Sequence, residues 1–188
     1  MNPKAYLIPG RDEGLGGQLG SLLRQEGRDV RGRALRGEFA RMRFPEQLAE
    51  IRWDLADGFW TAEGVLVGRS YGAYLLLHVL AEEEAPFPGR ALLLSPVLGP
   101  ARRIAGRLGS RPPRADRLRK MAAEGTFPPP AELEIHTGAE DQGCDPDLAR
   151  EIFQEMVGVK LVVVPEMGHE LDPEYVWRAA RRFLRGDG

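Results

Sequence analysis

This 188-residue chain reads as an α/β fold with a mostly parallel six-stranded sheet and helices on both faces. Three observations lead there. Short apolar runs of strand length alternate with longer amphipathic runs along most of the chain. The strand-like runs are nearly continuous in apolar residues, which implies burial on both sheet faces, as in parallel sheets covered by helices. The length suits one core rather than two, and 43% hydrophobic with 29% charged residues is the balance of a globular domain.

Taken in order, AYLIPG (5–10) is a strand stopped by Pro9 and Gly10, and GGQLGSLLRQEG (16–27) is a helix. RDVRGRALRG (28–37) is a weaker strand candidate, with basic and apolar residues interleaved and glycines breaking it. PEQLAEIRWDLADG (45–58) sets Leu48, Ile51 and Leu55 on one helical face, with Pro45 suited to the first turn and Gly58 to the stop. GVLVG (64–68) is a buried strand, YGAYLLLHVLAEEE (71–84) a helix, and RALLLSP (90–96) another strand. The Arg- and Pro-rich stretch 97–130 holds at most one or two short helices and reads as a long connection over one edge of the site. Strand (131–138), helix (145–158), strand (159–168) and helix (172–186) complete a single domain spanning 1–188.

Bulk properties exclude several functions. A formal net charge of -2 gives no general attraction to nucleic acid or membranes. The apolar runs fall far short of a bilayer span. The N-terminus lacks the apolar core of a secretory signal, and the single cysteine, Cys144, excludes an internal disulfide, so the expected compartment is the cytoplasm.

The chemistry centres on Gly68-Arg69-Ser70-Tyr71-Gly72, a G-x-S-x-G between a strand and a helix. A sharp turn there would hold the serine hydroxyl at the carboxyl end of the sheet, where open α/β proteins build their sites. A serine needs a base, and the base needs an orienting group. Of the three histidines, His78 sits two turns into the following helix and His136 inside a strand, where packing roles suit both. His169 follows the last strand in a Gly-containing loop, at the same edge as Ser70. The loop after the fifth strand offers Glu140, Asp141 and Asp145. Asp145 directly precedes Pro146 and suits a helix N-cap, which leaves mid-loop Asp141 as the expected acid.

Across nearly its whole length the chain resembles the α/β-hydrolase family. GRSYGA, TGAEDQGCDP and PEMGHEL match that family's serine, acid and histidine in order and in strand context. The compact length is similar to small cap-poor serine hydrolases, among them the branch related to the retinoblastoma-binding-protein hydrolases. Two departures stand out: the N-terminal antiparallel strands of larger members are missing, and the first loop reads IPGRDEG where many members have His-Gly. The resemblance implies a Ser70–Asp141–His169 triad acting on an ester or thioester. It also implies an oxyanion hole from the Tyr71 N–H and a first-loop N–H, expected from Arg11, with Gly10 and Asp12 as alternatives. Each such donor contributes about 3 to 4 kcal/mol to a developing oxyanion. No cofactor or metal is expected, and the expected partner is a small acyl substrate rather than nucleic acid or a membrane.

Other readings remain in competition. A hydrolase fold with an unreactive serine would be a binding or regulatory module. A dinucleotide loop fails because Gly14-x-Gly16-x-x is followed by Leu19, although Glu38 lies at a tolerable distance for a ribose contact. Arg102, Arg103, Arg107, Arg111, Arg114, Arg117, Arg119 and Lys120 make an entrance for an anionic substrate or a solvated surface loop. Arg69, beside the serine, is a candidate for binding a substrate anion or for pairing with an acidic residue. Nothing in the sequence specifies an oligomeric state.

Overall fold

Every expected apolar run becomes a strand. The computed structural model describes residues 3–11, 13–99 and 112–186. Its strands are β1 (Lys4–Ile8), β2 (Asp29–Gly32), β3 (Val65–Arg69), β4 (Arg90–Leu94), β5 (Glu132–Gly138) and β6 (Val159–Val164). Its helices are α1 (Gln18–Gln25), α2 (Gly37–Arg41), α3 (Phe44–Ala56), α4 (Tyr71–Glu82), α5 (Arg117–Glu124), α6 (Pro146–Phe153) and α7 (Pro173–Arg185).

The strands form one sheet in the order β2-β1-β3-β4-β5-β6, with every pairing parallel. Burial explains the apolar runs: Ala5 to Ile8, Val65 to Gly68 and Ala91 to Leu94 are all buried between two helical layers. On one face Leu19, Leu22 and Leu23 of α1 join Val176, Ala180 and Phe183 of α7 over Leu7, Val67 and Leu92. On the other face the α3 stripe of Leu48, Ile51 and Leu55 packs with α4, Tyr6, Ile8 and Leu66. Residues 72–81 of α4 are buried throughout, so this helix lies within the core rather than on it.

Helix ends follow local chemistry. Proline opens α3, α6 and α7 within the first two positions. Asp145 accepts from the Asp147 N–H at 3.0 Å and Asp172 from Glu174 and Tyr175, so both are N-caps. Two expectations need correction. The strand expected over 28–37 stops at Gly32, and residues 37–41 form the short helix α2, whose five residues bury only Phe39 and leave no period to read. The helix expected over 145–158 ends at Phe153, and the chain turns there, with Met156 N–H bonding the Phe153 carbonyl.

The sheet order reverses between β1 and β3, since the chain runs outward to β2 and then returns past β1. Crevices form at such switch points beyond the carboxyl ends of the strands. Gly10 and Arg11 follow β1, and Ser70 follows β3. The fold therefore brings the first loop and the G-x-S-x-G together at its natural binding edge. Among the described residues, no helix is long and apolar enough to cross a membrane.

Candidate active site

Ser70 joins β3 directly to α4 with φ 54° and ψ −123°, a conformation rarely adopted outside glycine. Its N–H bonds the Leu94 carbonyl at 2.8 Å, and its carbonyl accepts from the Tyr74 N–H at 3.1 Å. The flanking glycines make this turn possible. A Cβ on Gly68 would lie 2.7 Å from Ala73 Cα, and one on Gly72 would lie 2.3 Å from the Ile8 carbonyl oxygen. Helix, β1 and β3 can therefore converge behind the serine only because Gly68 and Gly72 lack side chains.

Asp141 lies in the loop after β5 with its side chain fully shielded from solvent. One carboxylate oxygen accepts from the Gly143 and Cys144 N–H groups, each at 2.7 Å, and the other from the Thr137 hydroxyl at 3.2 Å. The same carboxylate meets His169 Nδ1 at 2.9 Å. His169 Nε2 lies 2.8 Å from Ser70 Oγ. An ionised carboxylate only accepts, so this network assigns the imidazole proton to Nδ1 and leaves Nε2 as acceptor for the serine hydroxyl. Three loops from distant parts of the chain thus meet in one hydrogen-bonded line.

The first loop touches the same point. A Cβ on Gly10 would lie 3.7 Å from Ser70 Cβ, so this loop runs against the serine. Tyr71 opens α4, and its N–H has no carbonyl one turn behind it. The Arg11 guanidinium sits over the Tyr71 ring at 5.5 Å, and the Tyr71 hydroxyl donates to buried Gln47 at 3.2 Å. The Tyr71 side chain therefore holds the first loop against α4, a contact that the sequence pattern does not signal. Asp12, one of the two alternative donors beside Gly10, lies outside the described residues.

Arg69 is an ion-pair residue. It bonds Glu170 directly and lies 3.7 Å from Glu13, with its own side chain only 16% exposed. The sequence pattern singles out neither glutamate, although both sit within three residues of an expected site position. A cleft of about 410 Å³ opens here, lined by Gly10, Arg11, Glu13, His169 and Glu170 together with Arg69 and Ser70.

The remaining candidates lie outside this hydrogen-bonded line. His78 is fully buried against Phe44 and Tyr74, and burial pushes its pKa down to about 4. His136 is a satisfied core histidine between Glu134 and Tyr175, each at 2.6 Å. Cys144 is buried and its thiol is raised far out of range by desolvation. Glu140 is exposed and Asp145 caps α6. In the basic stretch, Arg114 and Arg117 pair with Glu82, Arg119 with Glu151 and Lys120 with Glu124. Arg102, Arg103, Arg107 and Arg111 lie outside the described residues.

No protein-family model matches the chain, and no curated protein sequence resembles it closely enough to count as a relative. Solved structures do match in shape. Mouse alpha/beta hydrolase domain-containing protein 10 superposes with a TM-score of 0.68 at 13% identity, over 99% of this chain and 91% of that one. The chain has the α/β-hydrolase fold. Carboxylesterase CesB from Bacillus subtilis (TM-score 0.63, 18% identity) matches over 98% of this chain and 84% of its own. A monoacylglycerol lipase from Paleococcus ferrophilus (0.66, 16% identity) matches over 98% and 95%. Within the α/β-hydrolase fold, β3, β5 and β6 carry Ser70, Asp141 and His169 on the loops at their carboxyl ends.

Proposed function

We propose that this protein is a serine hydrolase that cleaves a carboxylic ester or thioester of a small acyl substrate. The hydrogen-bonded line from Ser70 through His169 to Asp141, with the serine on a strained elbow, carries the reading. Ser70 Oγ attacks the carbonyl carbon while His169 Nε2 takes its proton, and the carbonyl π electrons move to oxygen. Asp141 keeps the ring in the reactive tautomer and stabilises the imidazolium. The Tyr71 and Arg11 N–H groups hold the oxyanion. As the tetrahedral adduct collapses, His169 gives its proton to the departing alcohol or thiol. Water, deprotonated by the same imidazole, then hydrolyses the acyl-enzyme and regenerates Ser70.

The test is covalent labelling with a fluorophosphonate. Wild-type protein should label and Ser70→Ala should not. A folded wild-type protein that stays unlabelled would sink the enzyme reading and leave a hydrolase-fold binding module. A panel of esters and thioesters of increasing chain length would then define the acyl group.

A further inference from the structure

Three loops must keep register within a fraction of an ångström for the proposed reaction, and one side chain touches carboxylates on two of them from the third. Arg69 sits beside Ser70 on the elbow. Glu13 belongs to the loop after β1 that carries Gly10 and Arg11, and Glu170 directly follows His169. The guanidinium bonds Glu170 and lies 3.7 Å from Glu13. The stem of Arg69 runs past Gly10, where an added Cβ would meet its Cγ and Cδ at 3.9 Å. Glu13 folds over Gly17, so closely that a Cβ there would lie 2.6 Å from Glu13 Cγ. Arg69 and Glu13 are largely shielded, at 16% and 18% exposure, whereas Glu170 stands 79% exposed at the rim.

We propose that Arg69 is a positioning residue: its guanidinium clasps the oxyanion loop and the histidine loop to the serine elbow, and its charge is spent on Glu13 and Glu170 rather than on substrate. This rests on the hydrolase reading above and deepens it. A planar guanidinium can hydrogen-bond Glu170 through one arm while the other faces the charge of Glu13, whereas an ammonium is a point charge without that fixed geometry. Loss of the clasp frees each loop to drift, and displacement by about 1 Å can cost up to about 100-fold in rate. The clasp also withdraws the cation next to the serine from substrate recognition.

The experiment measures kcat and KM for the best substrate of the ester panel, alongside the fluorophosphonate labelling rate. Arg69→Gln and Glu170→Gln should each lower kcat and labelling by roughly 10- to 100-fold with little change in KM. Glu170→Gln changes an exposed side chain, so it reads the clasp even if Arg69→Gln folds poorly. Arg69→Lys, which keeps the charge but loses the planar fork, should recover only part of the loss. Wild-type activity in Arg69→Lys overturns the clasp. So does a loss confined to KM, which would make Arg69 a substrate-binding residue. A labelled, active wild type with unaffected variants overturns the clasp alone, whereas an unlabelled wild type overturns both proposals.

Discussion

At the residue scale, the two aspartates of the β5–α6 loop divide the work by geometry. Asp141 reaches His169 Nδ1 while accepting from two N–H groups of its own loop and from the Thr137 hydroxyl of β5, and Asp145 caps α6. Asp141→Asn puts an amide beside the imidazole and favours the wrong tautomer, so turnover should fall by roughly 10³- to 10⁴-fold. Asp145→Asn keeps a good cap and should leave turnover within about twofold. Steady-state kinetics of the two variants checks the assignment: equal losses would remove Asp141 from its role. Both residues are visible in the sequence, and Pro146, directly after Asp145, is the signal that separates the cap from the acid.

At the scale of elements, the elbow is a packing problem before it is a chemical one. Gly72→Ala would drive a methyl group against the end of β1, and overpacking of this kind costs about 1–3 kcal/mol. Gly16→Ala, where an added Cβ meets nothing within 4 Å, should be nearly neutral. Urea denaturation of the two variants compares them directly. A second junction ties β1, the segment after β2 and α3 together. Asp54 of α3 accepts from the Tyr6 hydroxyl at 2.6 Å and from Arg33 at 2.5 and 2.8 Å. Burial pushes the Asp54 carboxyl up, but the hydrogen bonds from Arg33 and Tyr6 and the guanidinium charge prevail, and its pKa lies below the ordinary 3.8. A depressed carboxyl pKa contributes stability above the unfolded value and loses it as pH falls through the folded one. Asp54→Asn should therefore cost about 1–3 kcal/mol at neutral pH. The gap to wild type should close in strong acid, as thermal melts across pH would show.

At the scale of the whole molecule, burying α4 throughout carries a pH consequence. His78 lies fully buried, and among the described residues neither ring nitrogen has a hydrogen-bond partner. Desolvation is the main cause that lowers its pKa from 6.5 to about 4, with Glu82 opposing and Arg114 and Arg117 assisting. The unfolded chain binds this proton between those values and the folded chain does not. Stability must then fall as pH drops from 6.5 to about 4 and level off below, by up to roughly 3 kcal/mol from this group. His78→Leu should flatten that part of the stability curve, and an unchanged slope in denaturant titrations would show that His78 does not set it.

The sequence by itself determined the order of the strands and longer helices, because the central strands, buried on both faces, read as apolar runs and the segments between them carry helical spacing or a long buried run. It also determined which serine, acid and histidine fall on loops at one sheet edge, since that edge follows from strand direction alone. It left α2 and the end of α6 unread, for five residues carry no period and a turn such as that at Phe153 depends on local backbone bonds. Tertiary structure alone decided what Arg69 meets. Its partners Glu13 and Glu170 lie far from it along the chain on either side, and an ion pair between loops has no periodicity to announce it. The same holds for Tyr71 with Arg11 and Gln47: contacts between loops depend on where the sheet delivers them, which no local pattern encodes.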